Sequence, residues 1–162
     1  MRLSKGLFST GNGEWETPQE LFDIINGIFR FDVDVCAKAG NAKCERYFSP
    51  EQDGLTQDWI GTVWCNPPYG REIGKWVYRA HNSHIFNGTT VVMLLPSRTD
   101  TQWMHSHVFC GAHVIFLKGR LSFGDAGGSA PFPSLLAVYD LSKHRVNELA
   151  RRLGSSAFFY RK

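Results

Sequence analysis

The first periodic stretch of the chain is Leu21, Phe22, Ile24, Ile25 and Ile28, a spacing that lays an apolar stripe along one face of a helix. Thr17-Pro18-Gln19-Glu20 predicts where that helix starts: Thr17 caps it, Pro18 takes the first helical position and Glu20 completes a capping box. The period then shortens. Phe31 to Cys36 alternates apolar and acidic residues, F-D-V-D-V-C, and reads as a strand. Residues 37–61 are irregular, with turn formers at Gly40-Asn41, Ser49-Pro50 and Asp53-Gly54. Thr62 to Cys65 is a second short strand, and it runs straight into Asn66-Pro67-Pro68-Tyr69-Gly70.

A helix is expected over 72–86, with Ile73, Trp76, Val77 and Ala80 on its buried face. Thr89 to Leu95 is apolar without alternation and is stopped by Pro96, as suits a strand covered on both faces. Asp100 is placed to cap a short helix through Val108, and His113 to Leu117 forms the next strand. A glycine-containing loop follows from Lys118 to Pro133, then a strand from Ser134 to Tyr139. Ser142 caps a last amphipathic helix ending near Gly154, with Leu141 and Val146 as a hydrophobic staple, and Ala157 to Tyr160 is an edge strand. Strands alternating with helices predict an α/β fold: one domain spanning 1–162, a mostly parallel sheet and helices on both faces. Residues 1–16, polar and glycine-containing, read as a flexible arm. Ligands of such sheets sit at the carboxyl ends of the strands, so the loops starting at Cys36, Asn66, Pro96 and Lys118 are expected to converge.

Composition narrows the class. The chain has 162 residues, 43% hydrophobic and 20% charged, which suits one globular domain with a sizeable core. No apolar run approaches the roughly 18 residues of a membrane span, and the N-terminus lacks the apolar core of a signal peptide, so a cytoplasmic protein is expected. Net charge is only +3, which permits a nucleic-acid partner without arguing for one. Cys36, Cys44, Cys65 and Cys110 have no C-x-x-C spacing, and three of them lie among apolar or aromatic neighbours; they read as buried reduced thiols rather than zinc ligands. The six histidines are scattered, and no metal site is expected.

The most informative segment is Asn66-Pro67-Pro68-Tyr69. An exocyclic amine on a flat ring is a poor nucleophile because its lone pair is delocalised into that ring. To react with a sulfonium methyl it needs acceptors for its N–H groups and an in-line position. The Asn66 side-chain carbonyl and the backbone carbonyl after it supply two acceptors. Consecutive prolines remove two donors and stiffen the loop. Tyr69 can stack on a base withdrawn from a duplex. Positioning alone can supply on the order of 7–11 kcal/mol of such a barrier. The plainer alternative is a tight turn after a strand with Tyr69 as packing.

The segment sits inside an ordered set of motifs: Glu14-Trp15-x-Thr17-Pro18, Phe31-Asp32-Val33-Asp34-Val35-Cys36-Ala37, Asp53-Gly54-Leu55 with Trp59, Trp64 to Gly70, and Gly119-Arg120-Leu121-x-Phe123. Together they resemble the phage DNA N6-adenine methyltransferases of the Dam type, over roughly Glu14 to Tyr139. The resemblance implies a Rossmann-like methyltransferase domain, S-adenosylmethionine as cofactor, DNA as partner and Asn66, Pro67, Pro68 and Tyr69 as the catalytic loop. It implies protection of phage DNA from restriction as the purpose.

The chain lacks the glycine-rich F-x-G-x-G turn that many Rossmann methyltransferases carry after the first strand; Gly11-Asn12-Gly13 lies before the first helix. The resemblance instead puts the methyl donor at Thr17, Pro18, Asp34, Cys36 and Ala37, with Asp58 as a further contact. Arg71, Lys75, Arg98 and Arg120 are candidate phosphate contacts and Phe123 a candidate stacking group, although a lone Lys or Arg is more often solvated surface charge. Two alternatives stay open: methylation of another planar nitrogen (cytosine N4, an RNA base or a protein glutamine), and a non-catalytic nucleic-acid-binding module on a decayed methyltransferase fold.

Overall fold

The computed structural model describes residues 15–122 and 129–159. Three helices, α1 (Gln19–Phe29), α2 (Ile73–Asn87) and α3 (Lys143–Arg152), pack on a sheet of six strands: β1 (Val33–Asp34), β2 (Thr62–Cys65), β3 (Thr90–Pro96), β4 (His113–Phe116), β5 (Ser134–Tyr139) and β6 (Ala157–Phe158). The sheet order is β1-β2-β3-β5-β4-β6.

Period-2 alternation assigns the core to both faces. Val91, Met93 and Leu95 of β3 point to the side of α2, where Trp76, Val77 and Ala80 meet them. Val92 and Leu94 point the other way, toward Phe22 and Ile25 of α1 and Val146 and Leu149 of α3. Helices therefore cover both faces, which is why β3 and β5 show no polar side. No helix among the described residues is long and apolar enough to cross a membrane.

The sheet is mixed rather than mostly parallel. β1, β2 and β3 pair in parallel. β5 is inserted antiparallel between β3 and β4, and β6 pairs antiparallel with β4. The cause lies in the connection: parallel neighbours need a crossover, whereas the described parts of 117–133 form no helix and double back, with Ser122 bridged to Ser129. β5 must then start at the sheet edge where β4 ends, and Pro96 faces Ser134 there.

Other expectations are refined. The strand expected over Phe31 to Cys36 keeps only Val33–Asp34, flanked by backbone bonds from Asp32 N–H to Thr62 and from Val35 N–H to Trp64. The short helix after Asp100 widens into a π-helical turn, Met104–Val108, with no side-chain cap. Ser142 does cap α3, accepting from the Arg145 N–H, but Leu141 is 85% exposed and forms no staple. All four cysteines are thiols outside any disulfide; only Cys65 is buried, and Cys110 is exposed. The capping box on α1 is absent. Pro18 occupies the cap position and no side chain caps the helix, which forgoes roughly 1 kcal/mol. Thr17 is engaged elsewhere. Gly11 to Gly13, Phe123 and Tyr160 lie outside the described residues.

Candidate active site

β1 to β4 all run in one direction, because β3 and β4 are both antiparallel to β5. Their carboxyl ends therefore lie along one edge, as ligand sites of open α/β sheets require. A cavity of about 240 Å³ opens there, beside the ends of β1 and β2. It is lined by the segment Trp15, Glu16 and Thr17, by residues of the irregular stretch between Ala37 and Gly54, by Asn66, Pro67 and Pro68, and by Trp76.

The wall from Ala37 to Gly54 hangs on one carboxylate. Asp34 is 2% exposed, and its oxygens accept from the backbone N–H groups of Cys36 at 3.2 Å and Lys43 at 3.1 Å. Burial pushes its pKa from the ordinary 3.8 up to about 6, against the opposing pull of those two N–H groups. The backbone at 46–48 returns along β1, with Asp34 N–H donating to Arg46 O and Phe48 N–H to Asp34 O. Gly54 then crosses so close to β1 that a Cβ there would stand 2.0 Å from the Val35 carbonyl oxygen. The buried Trp59 indole N–H holds the Gly54 carbonyl at 2.8 Å. A cavity wall is thus built without a glycine-rich turn after β1, using an aspartate as the suspension point and Gly54 for the close approach.

Asn66 follows directly on β2. Its amide Nδ2 donates to the Trp15 carbonyl and, at 3.0 Å, to Thr17 Oγ1. The Trp15 carbonyl can only accept, so it dictates which end of the amide faces it. Asn66 Oδ1 is left buried and without a hydrogen-bond partner. A buried orphan acceptor costs about 1–3 kcal/mol. Such a cost is tolerated where the acceptor has a ligand to meet.

Tyr69 is anchored at both ends. Its hydroxyl donates to the Leu94 carbonyl at 3.1 Å, and its ring meets Phe132 edge-on with centroids 5.5 Å apart. Burial pushes the phenol well above its ordinary value, so it is neutral across the physiological range. Phe132 in turn packs edge-on against Trp15 at 5.2 Å. Trp15, Phe132 and Tyr69 form an aromatic row beside the Asn66 amide.

Thr17, Asp34, Cys36, Ala37, Asn66, Pro67 and Pro68 come together at the cavity. Pro18 stands behind it as the cap of α1. Asp58 is not in the lining; its side chain is 89% exposed and lies 3.9 Å from Arg79. Arg79 itself donates to the Gln57 carbonyl at 2.6 Å, so it serves the 57–58 turn. Arg71, Lys75, Arg98 and Arg120 are exposed. Lys75 pairs with Glu72, one helical turn away. Sequence reasoning assigns no such role to Trp15, Asn41, Lys43, Asp53 and Trp76, all of which line the cavity. Trp15 and Asp53 stand within the ordered motifs; Asn41 and Lys43 carry no signal of their own.

The mixed α/β sheet thus carries a cavity at its strand ends, with Asn66, whose side-chain carbonyl is buried and unpartnered, in the lining. The family is specific. Residues 7–134 match the profile of DNA N-6-adenine-methyltransferase (Dam), and the chain belongs to that family. It is similar to the DNA N-6-adenine-methyltransferase of Haemophilus phage HP1 (strain HP1c1), with 35% identity over 135 residues, 78% of each chain. It is also similar to the DNA N-6-adenine-methyltransferase of Escherichia phage T1, with 30% identity over 115 residues, 67% of this chain and 46% of that one.

Proposed function

We propose that this chain transfers the methyl group of S-adenosylmethionine to N6 of an adenine in DNA, on a Rossmann-like methyltransferase domain. One observation carries the reading: the Asn66 amide donates both ways on one side and leaves a buried, unpartnered oxygen on the other. An adenine amine presents N–H groups, which is what that oxygen lacks. A decayed fold kept only for binding would have no reason to retain a stiff loop with an orphan acceptor.

The cavity suits the cofactor by its chemistry. Phe48, Pro50 and Trp76 offer apolar surface to a flat heterocycle, while Asp53 and Asn41 offer polar groups to hydroxyl or amino functions. Thr17, Cys36 and Ala37 line the same space, with Asp34 holding the wall. The bound donor supplies an electrophilic methyl on a sulfonium. Asn66 Oδ1 and the carbonyl of Pro67 accept the amine N–H groups, pulling electron density back toward the nitrogen. Pro67 and Pro68 keep that geometry from relaxing. Tyr69, with its hydroxyl tied to Leu94, offers a fixed ring to a base taken out of the stack. Arg71, Arg98 and Arg120 are exposed cations for phosphate contact, with Lys75 as a weaker one because Glu72 already pairs it. Phe123 is a further stacking candidate.

The test is transfer of labelled methyl from S-adenosylmethionine to unmethylated DNA, followed by nucleoside analysis. Label in N6-methyladenine is expected. Folded protein that binds S-adenosylhomocysteine yet labels no N6-methyladenine overturns the proposal; label in N4-methylcytosine, RNA or glutamine moves the substrate.

A further inference from the structure

Asn66 has two nearly isosteric ends, and only one of them is useful. If its side chain turned half a revolution, the NH₂ group would face the target amine, donor against donor. What prevents this is the Trp15 carbonyl, 51 residues away in the chain, which can only accept; Thr17 Oγ1, 49 residues away and 3.0 Å from the same Nδ2, is a second anchor on that end of the amide. Thr17 is 5% exposed and sits just ahead of α1, where a threonine ordinarily caps a helix, yet α1 has no side-chain cap. Its hydroxyl faces Asn66 instead. The segment carrying it is tied to the 41–43 stretch, from Asn41 Nδ2 to Glu16 at 3.5 Å and from Lys43 Nζ to Gln19 at 2.9 Å.

We propose that Thr17 is a positioning residue for methyl transfer: its hydroxyl is the second anchor that holds the Asn66 amide still in the orientation the Trp15 carbonyl sets, with Oδ1 toward the target amine. The proposal rests on the reading of Asn66 as the amine's acceptor. It differs from a role in binding the methyl donor, because the loss on removing the hydroxyl falls on turnover and not on donor affinity.

Thr17→Val keeps the shape and removes the oxygen; Thr17→Ser keeps the oxygen. Turnover of Thr17→Val is expected to fall about tenfold to a hundredfold, and Thr17→Ser is expected to recover most of that loss. Affinity for S-adenosylhomocysteine, measured by calorimetry, is expected to stay within about threefold in both. A readout independent of activity is hydrogen exchange of the Asn66 side-chain amide in ¹⁵N-asparagine-labelled protein, its signals assigned by their loss in Asn66→Ala. Exchange is expected to quicken about tenfold in Thr17→Val. If Thr17→Val fails to fold, Thr17→Ala is read the same way. Unchanged turnover, unchanged amide exchange, or a loss confined to donor affinity overturns the proposal. A wild-type protein that never methylates adenine, while Thr17→Val still quickens Asn66 exchange, overturns the functional reading instead.

Discussion

Lys43 donates its backbone N–H to the Asp34 carboxylate at 3.1 Å, closing nine residues of irregular chain onto the end of β1. The same carboxylate accepts from Cys36 N–H at 3.2 Å. One buried side chain thereby shapes the cavity wall that a glycine-rich turn shapes in other α/β proteins. Asp34 thus shapes the cavity through the backbone it holds as well as lining it.

Asp34 predicts a pH dependence. Its pKa is raised from 3.8 to about 6 by burial, so the unfolded chain gives up this proton first as pH rises. Between about pH 4 and pH 6 the native state holds more protons than the unfolded state, and stability falls with rising pH, by roughly 3 kcal/mol at most over that window. Asp34→Asn removes this contribution. Denaturant titrations at pH 4 and pH 6 are expected to show the decline in the wild type and a flatter profile in Asp34→Asn. Glu148, held down at about 2 by Arg151 and Arg152, acts in the opposite sense, its stabilisation being present above its ordinary 4.5 and lost as pH falls toward 2, but it does so equally in both proteins, so the difference between the two profiles isolates Asp34. Parallel profiles for the two proteins would refute the assignment.

Asn66→Ala removes the orphan acceptor. Methyl transfer is expected to drop by at least about a hundredfold. Affinity for S-adenosylhomocysteine, measured by calorimetry, is expected to change little. Retention of a tenth or more of the activity would count against Oδ1 as the amine's partner.

Gly54→Ala places a methyl 2.0 Å from the Val35 carbonyl oxygen and 3.2 Å from Trp76, so the loop or the strand must move. A loss of about 2–3 kcal/mol in urea unfolding is expected, with weakened S-adenosylhomocysteine binding because the same loop walls the cavity. A loss below about 0.5 kcal/mol would mean that the approach is not so close.

Asp53 and Asp58 divide the acidic candidates. Asp53 lines the cavity, whereas Asp58 stands 89% exposed beside Arg79. Asp53→Asn is expected to weaken S-adenosylhomocysteine binding about fivefold or more. Asp58→Asn is expected to leave it unchanged. Equal effects in calorimetry would contradict this division.

The cations can be ranked by salt dependence. Replacing Arg71, Arg98 or Arg120 by Ala is expected to reduce the slope of log affinity for DNA against log salt by about one for each phosphate that the arginine neutralises. Lys75→Ala is expected to change it less, because Glu72 already pairs that ammonium. A slope unaltered by every arginine replacement would place the DNA elsewhere.

Local pattern alone determined much of this protein. The 3.6-residue stripes located α1, α2 and α3 nearly to the residue, and the unbroken apolar run at 89–95 announced a strand covered on both faces, found at Thr90–Pro96. The unit of a strand followed by Asn66, Pro67, Pro68 and Tyr69 was legible because its residues are contiguous. Three things were decided only by the tertiary structure. The direction of β5 depends on which sheet edge its connection returns to, which an apolar six-residue run does not encode. The task of Thr17 depends on Asn66, 49 residues on: locally it is a helix cap, and the buried amide wins it away. The cavity wall from Ala37 to Gly54 has no periodicity to read, because its shape comes from bonds to Asp34 rather than from a repeating backbone. Repetitive structure writes itself into sequence through spacing; contacts between distant, irregular segments leave no such period.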